Sequence, residues 1–270
     1  MTKDNINILI LGSGTTSISS LRGSPGYFIK INGTNILLES GCGTLYRLAR
    51  AGYSIFDLDV VCYSHSHPDH IADLLPLLHS LKWDPLRPAN TKQIQLLGPK
   101  SVIDYYDCLN RFFGESISPK KEFFSINTSI MQNDKKTVNG ICFTTKKVPH
   151  TNDSIAYKIE YDGISIVYSG DTDMNKSLIS LSKNCDVLII ECSFPSTKKV
   201  YGHLVPSEVK FIVKEANPGK VILTHIYPNW TSNEMLEIIE LTKSDRYILG
   251  QDYLQINISK DSKIRINKIK

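Results

Sequence analysis

Five of the chain's seven histidines, together with two aspartates, have the types and spacing that hold divalent cations. Four of these potential ligands stand within six consecutive residues, His65-Ser66-His67-Pro68-Asp69-His70. They follow an apolar run, Leu58 to Tyr63, that reads as a buried strand. Side chains of an extended segment alternate faces, so His65 and His67 share one side. Pro68 cannot continue a hydrogen-bonded ladder, so the chain turns there and carries Asp69 and His70 toward a second point. One ion is therefore expected on His65 and His67, and a neighbour on Asp69 and His70. Imidazole and carboxylate donors suit zinc, with manganese or iron as alternatives.

Each ion still lacks ligands, and the remaining candidates recur in a similar context, at or near the ends of apolar strands. They are Val148-Pro149-His150, Tyr168-Ser169-Gly170-Asp171-Thr172 and Leu223-Thr224-His225. His150 and His225 supply one ligand each. Asp171 has two oxygens with which to bridge cations that would otherwise repel at roughly 3.5–4 Å. The expected cofactor is thus two divalent ions, Zn2+ with Mn2+ or Fe2+ as alternatives. Such a pair lowers the pKa of bound water to about 7, so the expected chemistry is hydrolysis by a metal-bound hydroxide. The cations also stabilise negative charge developing on a phosphoryl or carbonyl oxygen. Asp69 is expected to bind the second ion and orient the hydroxide. Glu191, at the end of the apolar run Val187–Ile190, is placed to orient His203 through a ring nitrogen.

The elements that must position these residues are legible in outline. Strands are expected at Asn7–Leu11, Gly26–Ile31 and Asn35–Leu38, the last two joined by a turn at Asn32-Gly33. A helix at about 44–51 precedes the strand that delivers the first histidines. After His70, the positions Ile71, Leu74, Leu75, Leu78 and Leu81 have helical spacing, with Pro76 marking a kink or a second start. His79 in this stretch reads as packing or surface. Gln93–Leu97 reads as a strand and 101–113 as a helix whose Tyr105, Tyr106, Leu109, Phe112 and Phe113 form an aromatic core-facing side. Several strands follow from 122 to 169, with turns at Asn139-Gly140 and Asp162-Gly163. Strand–helix alternation closes the chain: Val187–Ile190, Pro206–Glu215 into Val221–Leu223, and 232–242 into Tyr247–Leu249. This order suits an α/β (α+β) fold, a four-layer αββα sandwich of two mixed sheets flanked by helices.

Composition bounds the rest. With 270 residues and 41% hydrophobic content, the chain can bury one large core, and residues 1–270 are expected to form a single domain. The net charge of +4 is compatible with an anionic substrate without demanding nucleic acid. Lys260, Lys263, Lys268 and Lys270 read as a solvated terminus, and Lys120-Lys121 and Lys198-Lys199 are too small to form a nucleic-acid patch. The six cysteines (42, 62, 108, 142, 185, 192) show no C-x-x-C pairing and read as small core residues in a reducing compartment. No signal peptide or long apolar run is seen, so a cytoplasmic protein without a membrane span is expected.

The set His65-x-His67-x-Asp69-His70, His150, Asp171 and His225 resembles the metallo-β-lactamase superfamily along nearly the whole chain. Within it, the chain is most similar to the ribonuclease Z and phosphodiesterase branch. That closer likeness rests on Gly12-Ser13-Gly14-Thr15, Arg22 before Gly26-Tyr27, Ser169-Gly170-Asp171-Thr172, and the extra histidine His203. By that similarity His203 stabilises the transition state or protonates the leaving oxygen. Zinc lactamases of the commonest type carry cysteine where this chain has Asp171, and di-iron members carry glutamate where it has His67. The resemblance therefore implies neither antibiotic hydrolysis nor redox chemistry. Relatives usually read Asp-x-Gly-Glu-Gly where this chain has Glu39-Ser40-Gly41-Cys42-Gly43. The long arm of tRNA-processing enzymes is missing, since only 20 residues separate His150 from Asp171. The expected substrate is a small anionic or nucleotide-like phosphodiester, with tRNA 3′-processing as the alternative. A thiolesterase of the glyoxalase II type and a non-catalytic binding protein are outsiders, and a homodimer is compatible with all of these.

Overall fold

The computed structural model describes residues 6–118, 126–228, 230–259 and 264–268. Lys120, Lys121, Lys260, Lys263 and Lys270, and the beginning of the strand region expected from 122, lie outside the described residues. In chain order the elements begin with β1 (Ile6–Gly12), β2 (Gly26–Ile31), β3 (Thr34–Leu38), α1 (Thr44–Arg50), β4 (Val60–Cys62), α2 (Pro68–Ile71) and α3 (Leu74–Trp83). They continue with β5 (Ile94–Gly98), α4 (Lys100–Phe113), β6 (Ile126–Ile130), β7 (Lys135–Val138), β8 (Ile141–Lys147), β9 (Ile155–Tyr161) and β10 (Ile164–Tyr168). The last are α5 (Lys176–Leu181), β11 (Val187–Glu191), α6 (Pro206–Ala216), β12 (Lys220–Thr224), α7 (Ser232–Thr242), β13 (Tyr247–Leu249), β14 (Leu254–Ile258) and β15 (Ile264–Lys268).

The chain divides into two compact units, one of Met1–Gly12, Gly23–Ile130 and Asp252–Lys270, the other of Ser13–Arg22 and Met131–Gln251. The sheet of the first unit runs β15-β14-β1-β2-β3-β4-β5-β6. Its first strands pair antiparallel, whereas β3 to β6 are parallel. Parallel strands are covered on both faces and therefore read as unbroken apolar runs; Val60, Val61 and Cys62 are all buried. Against this sheet pack Leu48 of α1, Leu74, Leu77, Leu78 and Leu81 of α3, and Val102 and Leu109 of α4. Pro76 lies in the first turn of α3, where a missing N–H costs nothing, so it marks a second helix start and not a kink.

The second unit repeats the design, with the order β13-β12-β11-β10-β9-β8-β7. Here β7 to β10 pair antiparallel and β10 to β13 parallel. Val167, Leu188, Ile190, Val221 and Leu223 of the sheet meet Leu178 of α5, Val209, Ile212 and Val213 of α6 and Ile238 of α7. The three expected hairpin turns hold. Asn32, Asn139 and Asp162 have φ of 47, 51 and 48°, and the glycines after them 78, 78 and 82°. Positive φ at both central residues matches the twist of the flanking strands.

Some expectations need correction. Helix α5 was not anticipated, because only Leu178 and Leu181 of its six residues are buried and so short a stretch shows no period. Lys268 is exposed, as expected, but it belongs to a strand and not to a tail: it pairs with Leu254 across the unforeseen antiparallel β14–β15 ladder. Phe112 is 80% exposed although Tyr105, Tyr106 and Phe113 pack on the core. At 100° per residue it is turned off the Leu109 stripe by about 60°. Cys62, Cys185 and Cys192 are buried as expected, but Cys42 and Cys108 are exposed; all are free thiols. His79 is a surface residue, with Nδ1 3.1 Å from the Ser116 carbonyl. Among the described residues no helix is long and apolar enough to cross a membrane.

Candidate metal centre

In both sheets several of the candidate residues follow the carboxyl ends of parallel strands, where an open α/β sheet presents ligand-binding groups; His150 instead follows the antiparallel strand β8, and His203 lies in the loop between β11 and α6. In the first unit Glu39 follows β3, and His65 follows β4 by three residues. The stretch Tyr63–His67 is not itself strand, yet it alternates as expected: the His65 and His67 rings are 4.6 Å apart edge to face. His67 is the N-cap of α2 and Pro68 its first residue, so the expected turn is a helix start that brings Asp69 and His70 round. The His70 ring lies 4.1 Å from that of His65, and Asp69 Oδ2 lies 3.7 Å from His70 Nε2.

The Glu39 segment supports this cluster. Glu39 is fully buried with φ of 59°, the left-handed region that costs a non-glycine residue about 1 kcal/mol. That backbone aims its carboxylate at two groups: Oε1 accepts the Ser64 N–H at 3.0 Å and lies 3.6 Å from His70 Nδ1. Gly41 allows the approach, since a Cβ there would sit 1.9 Å from the Asp69 carbonyl oxygen. Asp73, not singled out in the sequence, accepts the Gly43 and Leu45 N–H groups at 3.0 and 2.9 Å and so caps α1.

In the second unit Asp171 follows β10, Glu191 ends β11, and His225 follows β12. His225 is buried and also left-handed, with φ of 55°. Asp171 Oδ2 lies 3.3 Å from His225 Nε2 and 3.8 Å from His150 Nε2. His150 Nδ1 donates to the Gly202 carbonyl at 2.9 Å, and a carbonyl can only accept. That bond sets the Nδ1–H tautomer and leaves the lone pair on Nε2, the form of imidazole that can bind a cation. Gly202 itself needs its freedom, with φ of 88° and its Cβ position 3.1 Å from His150 Nδ1. The expected pair is present: His203 Nδ1 is 3.2 Å from Glu191 Oε1.

Fit to a cation follows from donor type and spacing. Two ligands of a tetrahedral zinc with bonds of about 2.0–2.1 Å stand roughly 3.3–3.4 Å apart. The Asp171–His225 separation matches that figure, and the Asp69–His70 and Asp171–His150 separations need only small adjustments. The ligand atoms of His150, Asp171 and His203 lie within 4.8 Å of one another, as do those of Glu191, His203 and His225. Among the described residues no cysteine belongs to a cluster of candidate ligand atoms. Burial, reinforced by Glu39 and Glu191 respectively, pushes the Cys62 and Cys192 thiols well above their ordinary value.

Further residues without a role in the motif hold it in place. Ser64 Oγ is 2.9 Å from His65 Nδ1, and Ser193 Oγ is 2.9 Å from His225 Nδ1. No spacing marks either serine in the sequence; Ser193 meets its histidine through the fold. Asp173 links the loops of Asp171 and His203 by accepting from Lys199 Nζ and Gly202 N, both at 2.9 Å. Burial alone would raise the Asp173 carboxyl, but these bonds outweigh it and hold the group below its ordinary value. Arg22 donates to Ser13 Oγ at 2.7 Å and to the Gly250 carbonyl at 2.5 Å, a structural tie.

Comparison with known proteins agrees with this geometry. Residues 34–226 match the family model described as the beta-lactamase superfamily domain. Ribonuclease Z of Thermoplasma acidophilum is 26% identical over 279 residues, covering 86% of this chain and 90% of its own. The metallo-beta-lactamase fold protein YhfI from Bacillus subtilis superposes with a TM-score of 0.77 at 22% identity, over 98% of this chain and 100% of its own. Human tRNase Z, short form, gives a TM-score of 0.74 at 18% identity, over 93% and 98%. These likenesses show the metallo-β-lactamase fold.

Proposed function

Because the chain belongs to the β-lactamase superfamily, in its ribonuclease Z-like branch, we propose that it is a metal-dependent phosphodiesterase with one dinuclear centre. Its ligands are His65, His67, Asp69, His70, His150, Asp171 and His225, in a chain whose residues 1–270 make up a single domain. The observation that carries this reading is Asp171, whose Oδ2 stands 3.3 and 3.8 Å from the Nε2 atoms of His225 and His150. A carboxylate between two imidazoles suits a bridge between two cations. The nitrogen and oxygen donor set favours zinc, with manganese or iron as substitutes. When bound, such ions supply Lewis acidity toward the phosphoryl oxygens and a nucleophilic water at neutral pH.

The chain's own groups do the rest. Glu191 accepts from His203 Nδ1, which holds the imidazole in register and stabilises its charged form while Nε2 delivers a proton to the leaving oxygen. Asp69 orients the attacking water. The substrate is a small or nucleotide-like phosphodiester, hydrolysed in the cytoplasm. Between His150 and Asp171 the described chain is filled by β9, the Asp162-Gly163 turn and β10, which leaves no length for an arm that grips a folded RNA.

The test is metal analysis of the purified protein together with turnover of a chromogenic bis-aryl phosphodiester. Protein that binds zinc yet fails to hydrolyse any diester in a substrate panel would remove the reading. A second reading, tRNA 3′-end processing, is favoured by the identity shared with the Thermoplasma ribonuclease Z over 86% of this chain. Cleavage of a 3′-extended precursor tRNA distinguishes the two.

A further inference from the structure

We infer that Ser193 is a positioning residue, the hydroxyl that fixes the proton on His225 and turns that ring's Nε2 to the cation. The inference rests on the metal reading proposed above and extends it to a residue outside the ligand set.

The argument is a count of protons. Ser193 is fully buried, and its Oγ is 2.5 Å from Glu191 Oε2. Two oxygens so close require a hydrogen between them. Both Glu191 oxygens already accept backbone N–H groups, Oε1 from Thr172 at 2.6 Å and Oε2 from Leu204 at 3.0 Å, and Oε1 also faces His203 Nδ1. With a backbone N–H directed at each of its two oxygens and the His203 ring facing one of them, the carboxylate is built as an acceptor site. The hydrogen in the short contact is therefore the hydroxyl's.

A serine has one hydrogen to give. Once it is committed to Glu191, Ser193 Oγ can only accept from His225 Nδ1, 2.9 Å away. His225 then carries its proton on Nδ1, and Nε2 keeps the lone pair on the side of Asp171 Oδ2. His203 Nδ1 is farther from the hydroxyl, at 3.4 Å, and its nearer partner is Glu191. The serine backbone is also held: its N–H donates to the Leu204 carbonyl at 3.1 Å, and its carbonyl accepts Trp230 Nε1 at 3.0 Å. The chain His225–Ser193–Glu191 thus does for one ligand, through a hydroxyl, what Glu191 does directly for His203. Outer partners of this kind typically change metal affinity 10–100-fold when removed.

Two measurements test this. Long-range proton–nitrogen NMR of the metal-free wild-type protein reads the His225 tautomer, and the Nδ1–H form is expected. Zinc affinity is then measured by competition with a chromogenic chelator for wild type, Ser193→Ala and Ser193→Thr. Ser193→Ala should bind zinc about 10–100-fold more weakly, whereas Ser193→Thr, which keeps the hydroxyl, should stay within about threefold of wild type. An Nε2–H tautomer in wild type overturns the inference, whether or not the alanine variant folds. Wild-type affinity in a folded Ser193→Ala overturns it while leaving the phosphodiesterase reading intact. A wild-type protein that binds no zinc removes both.

Discussion

Glu191 Oε1 stands 3.2 Å from His203 Nδ1, and the same carboxylate takes the N–H of Thr172, beside Asp171, and of Leu204, beside His203. One buried side chain at the end of β11 therefore holds two functional loops and one imidazole. Its role is wider than orienting a single ring, and its loss leaves several buried donors without an acceptor.

Glu191→Ala should lower unfolding free energy by at least about 1–3 kcal/mol, the cost of a buried group left unsatisfied, as read by denaturant titration of metal-free protein. His203→Ala should behave differently. Metal content stays at the wild-type level while turnover of a bis-aryl diester falls by on the order of 10²–10⁴, the range of a general acid. Release of an ion from His203→Ala would show that the histidine is a ligand.

Chelation should abolish activity, with zinc or manganese restoring it. Asp171→Ala removes the carboxylate between His150 and His225, so metal analysis should fall from about two equivalents to about one or fewer. Wild-type protein that never exceeds one equivalent under saturating zinc would refute the bridge.

Glu39→Ala deletes the acceptor of the Ser64 N–H and the carboxylate beside His70. A loss of roughly 1–3 kcal/mol in thermal or denaturant unfolding is expected, with weakened zinc binding. Glu39→Asp should be far milder, because aspartate tolerates the left-handed backbone better than most residues and keeps the charge. Equal damage in both variants would argue against the carboxylate as the reason for this residue.

The Asp173–Lys199 link sets a pH window. Bonds from Lys199 and the Gly202 and Met174 N–H groups outweigh burial and hold the Asp173 carboxyl below its ordinary value. Its contribution is therefore complete above the normal aspartate range and lost as pH falls through the lowered value, below roughly pH 4. Burial alone would lower Lys199, but Asp173 and Glu208 outweigh it and raise the group. That contribution is complete below the ordinary lysine value, about 10.4, and lost as pH rises beyond it. Asp173→Asn should flatten the acid limb of the stability profile measured by melting between about pH 3 and 6; an unchanged limb would remove the link from the account.

Small diesters should be hydrolysed at physiological salt, with precursor tRNA bound weakly and released as salt rises. Enzymes of folded RNA gain affinity from many phosphate contacts away from the scissile bond, and the His150–Asp171 connection offers no arm to make them. Efficient site-specific cleavage of precursor tRNA at that salt would promote the second reading.

The proposed ligand set could be read from the chain because that reading depends on local rules. A two-residue spacing puts His65 and His67 on one side, Pro68 opens α2, and an apolar run ends before each of the other ligands. The strand–helix order was legible for the same reason, except where α5 was too short to show a period and β15 was polar enough to read as tail. The anchors were not legible. Glu39 meets Ser64 because β3 lies beside β4, Ser193 meets His225 because β11 lies beside β12, and Gly202 meets His150 across 52 positions. Serine, glycine and a lone glutamate are common residues with no spacing of their own to mark them. Which nitrogen of His150 and His225 carries the proton depends on Gly202 and Ser193, so the chain alone named candidate ligands, while only the tertiary structure brings to them the partners that set the face each one presents.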